Sequence, residues 1–345
     1  MDIAAKTALV VGGGPAGMEA ALKIGQAGFR AVLVEREPDL GGTLRKLVSS
    51  FPRWENPADL ISVKVQMLEG NGNVECLTST TLISTERSEK GFWVALRHLK
   101  NGGSRELDVD AVILATGFDL MDVSVYGEYG YGIYPNVMSS LEFEERLRTW
   151  KEGVGPMPKA VAFFKCVGSR DRSKGFPYCS RICCMYTAKQ AGLVKDLFPE
   201  TKVYVFYMDY RAAGKGYEEF VRDVIEKKHV RYVRGRPAKV LPENGRLLVR
   251  AEDTLMGIPV EVVVDMVVLA SAIVPRAETR ALAKTFGALT DEYGFIEPVP
   301  YTTMRSGERI FFAGGCGFAV ETQGALQQGA AAAAEVIALF NKSEF

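Results

Sequence analysis

The chain has 345 residues, with 42 Lys and Arg residues against 42 Asp and Glu residues, so its formal net charge at pH 7 is zero. This balance gives no global basic field for nucleic acid or for an anionic membrane surface. No apolar run reaches the length of about 18 residues that a membrane span needs. The length accommodates two domains with substantial cores, and the 35 glycines are typical of an α/β protein rich in tight turns.

The N-terminal stretch predicts a dinucleotide-binding domain. Residues 8–11 form a continuous apolar run, as expected for a parallel strand that is buried on both faces, and a helical pattern follows the glycine-rich turn. Gly12 permits the tight turn, Gly14 permits close approach of a pyrophosphate, and Gly17 lets the helix pack closely on the strand. Glu35 ends the second strand, where its carboxylate would accept hydrogen bonds from a ribose diol.

Three further stretches favour FAD in this domain. Residues 35–43 are similar to the segment that wraps FAD in flavoproteins with two dinucleotide-binding domains. Residues 110–117 are similar to the strand and Thr-Gly turn that close the first FAD segment in that superfamily. The same resemblance implies that residues 80–82 pass the adenine, with backbone contacts from Leu82.

The chain returns to the flavin domain near its C-terminus. Residues 308–316 predict a strand that ends in a glycine turn, and a long alanine-rich helix begins near Thr322 and Gln323. Its first amide groups would face the isoalloxazine N1–O2 edge and stabilise the anionic reduced flavin. Related flavoproteins carry an acid where Cys316 stands, and the sequence leaves open whether this thiol tunes the flavin or only packs. The FAD contacts that the resemblance implies are Gly12, Gly14, Pro15, Ala16, Gly17, Glu35, Arg36, Gly42, Thr43, Leu82, Thr116, Gly117, Gly315, Cys316, Thr322 and Gln323.

The segments between these motifs predict ordinary α/β elements. A first strand from Thr7 leaves no room for a signal peptide, so we expect a cytoplasmic protein. Ser139 or Ser140 would cap a short helix that follows. The predicted elements of this part, in chain order, are a helix over 57–68, strands over 74–77 and 91–99, a crossover over 118–158 and a helix over 141–150.

Residues 159–164 begin a second strand–turn–helix domain. In pyridine-nucleotide disulfide reductases, the strand at this place leads into a second glycine fingerprint that binds NAD(P)H. Here it leads into Cys166, and Gly168 is the one glycine that remains, although an NAD(P)H site elsewhere stays open. The replacement predicts that electrons reach the flavin through iron and sulfur. The remaining elements predicted here are a strand over 202–207, a helix over 216–228 and strands over 230–233 and 262–270.

Four of the six cysteines lie within nineteen residues, at Cys166, Cys179, Cys183 and Cys184. Soft thiolate ligands gathered in this way select zinc or an iron–sulfur cluster. An oxidised four-iron cluster carries a charge of roughly −2, which needs compensation when it is partly buried. Five cations and one anion surround the cysteines, a surplus of four positive charges: Lys165, Arg170, Arg172, Lys174 and Arg181 against Asp171.

A helix predicted after Cys184 would place Cys183 and Cys184 near its N-terminus, where the helix dipole and amide groups stabilise thiolates. These patterns favour a cluster. The alternatives are zinc, a structural disulfide, and a redox-active pair formed by Cys183 with Cys179 or Cys184.

The cysteine segment is similar to one known signature. Cys-Val-Gly-Ser-Arg-Asp at 166–171 and Tyr-Cys-Ser-Arg-Ile-Cys-Cys-Met-Tyr at 178–186 resemble the motif of the A subunit of heterodisulfide reductase and its relatives. The resemblance implies that Cys166, Cys179, Cys183 and Cys184 bind a [4Fe-4S] cluster close to FAD. With six cysteines, the chain has no room for the ferredoxin-like modules of the long methanogen type. We therefore expect a short form, most similar to the A subunit of the heterodisulfide-reductase-like complex of sulfur-oxidising bacteria.

The resemblance implies an electron relay between flavin and partner iron–sulfur subunits of the B and C types, in cytoplasmic thiol and disulfide oxidation. It also implies a homodimer within a larger complex. Three alternatives stay open. They are the A subunit of the quinone-interacting membrane-bound oxidoreductase, a stand-alone NAD(P)H-dependent disulfide oxidoreductase, and an assembly scaffold stapled by metal.

The expected fold is α/β, with the two Rossmann-like domains of dinucleotide-binding flavoproteins. Residues 1–118 and 277–345 would form the FAD domain, residues 119–158 a crossover linker, and residues 159–276 the second domain with the cluster loop.

Overall fold

The computed structural model describes residues 6–342, which form two compact units. The first unit contains the residues up to Arg45, the segment Pro57–Asp119 and the residues from Val274 onward. The second unit contains Lys46–Asn56 and Leu120–Ile273. Residues 46–56, expected in the flavin domain, therefore lie in the second unit, and so does the expected crossover from Leu120 onward.

A six-stranded sheet forms the centre of the first unit. Thr7–Val11 is wholly buried and pairs in parallel with Arg30–Val34 and with Ala111–Leu114. Its apolar side chains pack into a core on each face of the sheet. The strand order is Arg305–Gly307, Ile310–Phe312, Ala111–Leu114, Thr7–Val11, Arg30–Val34, Val74–Leu77. The other elements are the helices Pro15–Gln26, Pro57–Glu69, Ala277–Phe286 and Thr322–Asn341, the 3-10 turns Gly42–Lys46 and Gly314–Cys316, and an antiparallel sheet of Thr80–Arg87, Phe92–His98 and Ser104–Val109.

The second unit is built on a five-stranded parallel sheet. Its central strand, Ala160–Val167, is buried along its whole length. The strand order is Arg231–Arg234, Lys202–Tyr207, Ala160–Val167, Met266–Ser271, Val137–Ser139. The other elements are the helices Ser140–Lys151, Cys183–Leu197 and Tyr217–Glu226, the 3-10 turns Val123–Val125 and Gly127–Tyr129, and an antiparallel sheet of Lys239–Glu243, Arg246–Asp253 and Ile258–Val264. Short strands, Phe118–Leu120 and Ile273–Pro275, lie where the chain passes between the units.

One predicted strand is wrong. The apolar run at 262–270 is divided at Asp265 into the end of an antiparallel strand, Ile258–Val264, and the parallel strand Met266–Ser271. The Asp265 carboxylate accepts hydrogen bonds from Ala160 N at 2.8 Å and from Arg246 Nε at 2.7 Å. These two bonds fix the point at which the chain changes sheets.

The helix Ser140–Lys151 begins with a capping box. Ser139 is the cap, because its hydroxyl accepts from Glu142 N and the Glu142 carboxylate accepts from Ser139 N at 2.6 Å. None of the helices within residues 6–342 has the length and apolarity needed to cross a bilayer.

A buried ion pair lies in the core of the second unit. We expect Glu144→Gln to lower the free energy of unfolding by about 3 kcal/mol, because the variant leaves a buried cation unpaired. Lys189 Nζ donates to Glu144 Oε1 at 2.5 Å and to Ser49 O at 3.1 Å, and both charged side chains are almost fully buried. Chemical denaturation measures the loss. The exposed pair Lys227–Asp223 provides the control, and Lys227→Gln should leave the midpoint unchanged. Equal midpoints for both variants would contradict the prediction.

Candidate functional site

The glycine turn of the first unit is closed by contacts that only glycine allows. Gly12 has φ +114°, and a Cβ added there would lie 2.3 Å from Ala115 O. A Cβ added at Gly17 would lie 1.9 Å from Gly12 O, so helix and strand pack at a distance that excludes any side chain. A Cβ added at Gly14 would meet no atom within 4 Å. The turn therefore leaves open space at a helix N-terminus, which is where a pyrophosphate binds.

The C-terminal helix packs directly on this turn. Pro15 takes the first position of the helix Pro15–Gln26, which suits its fixed φ. A Cβ added at Gly329 would lie 2.3 Å from Ala16 O, and one added at Gly314 would lie 2.9 Å from Ala16 Cβ. The structure thus brings the early glycine turn together with the glycine turn at Gly315.

Glu35 lies at the carboxyl end of the second strand with its side chain buried. Its carboxylate accepts from Gly13 N at 2.6 Å and from Glu37 N at 2.9 Å. A carboxylate offers about four acceptor positions, so capacity remains for a diol. Glu35 O also accepts from Thr80 N at 2.9 Å, which places the strand that carries Leu82 beside this end of the sheet.

The other predicted FAD residues of this unit occupy turns or helix ends. Gly42 has φ +53° and lies against Gly14, and Thr43 follows it in the same 3-10 turn. Thr116 shares a 2.6 Å hydrogen bond with the hydroxyl of Thr279, a residue that sequence reasoning missed. Gly117 has φ +77°. Arg36 is engaged in ion pairs with Glu37 and Glu278.

Cys316 is a packed thiol in this structure. Its side chain is fully buried, and Sγ donates to Leu114 O at 3.1 Å and to Ala313 O at 3.3 Å. Burial raises the pKa of Cys316 to about 11, so the thiol stays protonated. Thr322 and Gln323 are the first residues of the last helix, whose N-cap, Glu321, makes no side-chain capping hydrogen bond.

Three of the four clustered cysteines meet at the carboxyl end of the central strand of the second unit. The strand shifts register between Phe164 and Val167, and Cys166 adopts φ +59° within this irregularity. Such bulges re-aim side chains next to functional sites. Cys183 and Cys184 are the first two residues of the helix Cys183–Leu197. All three thiols are buried. They lie at the carboxyl end of a parallel strand, which is where α/β sheets carry their binding sites.

These three thiols share hydrogen bonds, and their pKa values diverge. The hydrogen bond from Cys183 is the main cause that lowers the pKa of Cys184 to about 5. The charge of Lys165 and a hydrogen bond from Arg211 N at 3.3 Å lower this pKa further. A second bond from Cys183 lowers the pKa of Cys166. The pKa of Cys183 itself is raised well above its usual range by donating to Cys166 and Cys184. The arrangement is a protonated Cys183 beside a Cys184 thiolate, with the pKa of Cys166 also lowered.

The cations predicted around the cysteines divide into two groups. Lys165 is buried, with Nζ 3.2 Å from Asp209 O and 5.5 Å from the centre of the Tyr207 ring, and it interacts with Cys166 and Cys184. Arg170 interacts with the cysteines while bound to Asp209 at 2.8 Å. By contrast, Arg172 and Arg181 are exposed, and Lys174 pairs with Glu128. The buried and partly buried cations therefore provide the local compensation.

Cys179 lies on the same loop and is partly exposed. Its Sγ accepts from Arg181 N at 3.4 Å, and Arg170 interacts electrostatically with both Cys179 and Cys166. Within residues 6–342, no three His, Cys, Asp or Glu side chains adopt the spacing of a metal site. The donor set still fits an iron–sulfur cluster in its chemistry, because it combines soft thiolates, a helix N-terminus and buried positive charge.

The class of protein follows from this architecture. Residues 6–153 match the family described as pyridine nucleotide-disulphide oxidoreductase. Thioredoxin reductase of T. acidophilum has the same fold, with TM-score 0.66 and 16% identity over 96% of this chain and 97% of that chain. An NAD-dependent persulfide reductase of A. fulgidus has TM-score 0.58 and 22% identity, over 98% of this chain and 60% of that chain. The chain has the Rossmann-like FAD fold of this oxidoreductase class, and the predicted fold is confirmed.

The chain also has relatives in sequence. The iron-sulfur A subunit of the CoB–CoM heterodisulfide reductase of Methanocaldococcus jannaschii is 32% identical, over 85% of this chain and 57% of the relative. An A subunit of the same reductase from Methanopyrus kandleri is 30% identical, over 95% of this chain and 63% of the relative. The chain is a homologue of these heterodisulfide reductase A subunits, and the predicted resemblance to them is confirmed. It spans less than two thirds of the length of these relatives.

Proposed function

We propose that this chain is an electron-transfer subunit that contains FAD and a [4Fe-4S] cluster. In this proposal it belongs to a heterodisulfide-reductase-like complex and relays electrons between the flavin and B- and C-type iron–sulfur subunits in cytoplasmic sulfur oxidation. It would act as a homodimer. The observation that carries the proposal is the meeting of Cys166, Cys183 and Cys184 where related reductases have their second glycine turn.

The first unit supports FAD binding through its own residues. The turn at Gly12 to Gly17 leaves room for a pyrophosphate, and the Glu35 carboxylate is held ready to accept from a ribose. When bound, FAD supplies two-electron chemistry and the cluster one-electron chemistry. The protein residues bind, orient and compensate charge, and no side chain is assigned as a general acid or base.

The second unit supports a cluster over a nicotinamide coenzyme. The loop after the central strand folds on itself, because Gly168 O accepts from Phe176 N at 2.7 Å and a Cβ added at Gly175 would lie 2.1 Å from that oxygen. Cys183 and Cys184 occupy the first turn of the following helix, where a coenzyme phosphate would need free amide groups. The thiols take the place of that phosphate.

The same thiols favour a second candidate, a disulfide oxidoreductase in which a cysteine pair is the redox centre. Anaerobic purification separates the two functions. The relay predicts one FAD and one four-iron cluster per chain, with broad absorbance that bleaches with dithionite. The second candidate predicts flavin alone, bleached by NAD(P)H. Protein that stays free of iron after anaerobic reconstitution, with its thiols paired or bound to zinc, would overturn the relay.

Lys165→Met should lower the reduction potential of the reconstituted cluster by about 60 mV, equivalent to tenfold for one electron. Lys165 is a buried cation beside Cys166 and Cys184, and a cation favours the more negative, reduced state. A spectroscopic redox titration measures the shift. Arg172→Met removes an exposed cation from the same loop and should change the potential much less. Equal shifts in reduction potential for the two variants would show that the buried position of Lys165 has no particular effect on the cluster.

A further inference from the structure

The segment between Cys166 and Cys179, which we call the cysteine loop (residues 168–178), is folded by its own backbone. Arg170 N donates to Tyr178 O at 2.9 Å, and Asp171 N donates to Phe176 O at 2.9 Å. Together with the bond from Phe176 N to Gly168 O, these contacts close the loop without any metal. Side chains attach the closed loop to the rest of the unit, among them Arg170, which binds Asp209, and Lys174, which binds Glu128.

Asp171 makes a further connection, which is buried at Tyr126. Its Oδ1 accepts within the loop, from Ser173 N at 2.8 Å and Ser173 Oγ at 2.7 Å. Its Oδ2 accepts from residues remote in sequence, Tyr126 Oη at 2.8 Å and Arg236 Nη2 at 2.8 Å. One oxygen thus shapes the loop, and the other attaches it to the core.

The remote partners are themselves fixed. Tyr126 is buried and stacks on Tyr129 with ring centres 5.8 Å apart, and the Tyr129 hydroxyl donates to Pro237 O at 3.1 Å. The Arg236 guanidinium lies 5.5 Å from the centre of the Tyr126 ring. Hydrogen bonds from Ser173 and Arg236 hold the pKa of Asp171 far below its usual range, so the carboxylate is charged at any physiological pH.

We propose that Asp171 is a positioning residue, which holds the cysteine loop against Tyr126 and Arg236 so that Cys179 faces the other three thiols before metal binds. The part that concerns the cluster rests on the proposed function. Asp171 is not a ligand in this account, because both of its oxygens are engaged by protein donors. Without the Asp171 carboxylate, Cys179 would not be held in place to bind the fourth iron atom.

The first test uses metal-free protein. Asp171→Asn should speed hydrogen exchange at the amides of Arg170, Asp171 and Phe176 by at least about tenfold, since hydrogen bonds to a charged group are lost. Arg172→Gln is the matched control, because it removes an exposed charge from the same loop and leaves Asp171 and its partners intact; its exchange should equal wild type. Unchanged exchange in Asp171→Asn would overturn the inference. Tyr126→Phe, which deletes a single hydroxyl, gives the same readout if Asp171→Asn does not fold.

The second test follows the cluster after anaerobic reconstitution. Asp171→Asn should hold about three iron atoms for each cluster, show the EPR signal of a three-iron cluster after oxidation, and lose iron to a chelator at least about tenfold faster than wild type. If wild-type protein takes up no iron, the proposed function fails while the exchange experiment still decides the role of Asp171. If wild type loads and Asp171→Asn loads identically, the proposed function stands and the positioning role is overturned.

Discussion

Gly17→Ala protein should purify with less than about one-tenth of the wild-type flavin, because close helix–strand packing at this glycine forms the dinucleotide turn. The added Cβ would lie 1.9 Å from Gly12 O, far inside contact distance. Either the turn opens or the helix moves, and both displace the amides that would face the pyrophosphate. The flavin absorbance per chain after desalting measures the effect.

Gly72→Ala is the control for this prediction. Gly72 belongs to the same unit, and a Cβ added there meets no atom within 4 Å. Its flavin content should equal that of wild type. Full flavin in Gly17→Ala would show that the cofactor binds elsewhere in the chain.

Cys184→Ala should abolish stable cluster assembly, with less than about one-tenth of the wild-type iron retained after reconstitution and desalting. Cys184 is a buried thiolate whose charge is balanced by Lys165, and it also accepts from Arg211 N. Its loss removes a proposed ligand and one of the two cysteines with which the buried Lys165 interacts. Iron and acid-labile sulfide per chain are the measurements.

Cys76→Ala is the matched control, since Cys76 lies in the first unit on the strand Val74–Leu77. It should reconstitute like wild type. Iron retention in Cys184→Ala equal to that of Cys76→Ala would remove Cys184 from the ligand set.

Sequence patterns predicted the elements whose cause is local. The apolar strand at Thr7–Val11 and the helix at Pro57–Glu69 follow directly from hydrophobic period and from the proline at the helix start. The strand over 262–270 was wrong because apolar period alone carries no sign of a change of sheet. The signal lay in the single charge at Asp265, whose partner Arg246 is distant in sequence.

The cysteine site shows the same limit. Clustering in sequence identified Cys166, Cys183 and Cys184. Arg211 was missed, because its backbone N–H reaches Cys184 only through the fold and a backbone donor leaves no residue-type signal. The bond between Tyr126 and Asp171 was missed as well, because it joins residues 45 positions apart in the sequence.

The Cys184 thiolate beside the protonated Cys183 has a consequence for how a metal centre is built. Metal ligation requires deprotonated sulfur. Because the pKa of Cys184 is lowered to about 5, this thiol has lost its proton at neutral pH before any metal binds, whereas uptake at Cys183 must displace a proton. Folding therefore meets part of the proton cost of metal uptake, at Cys184.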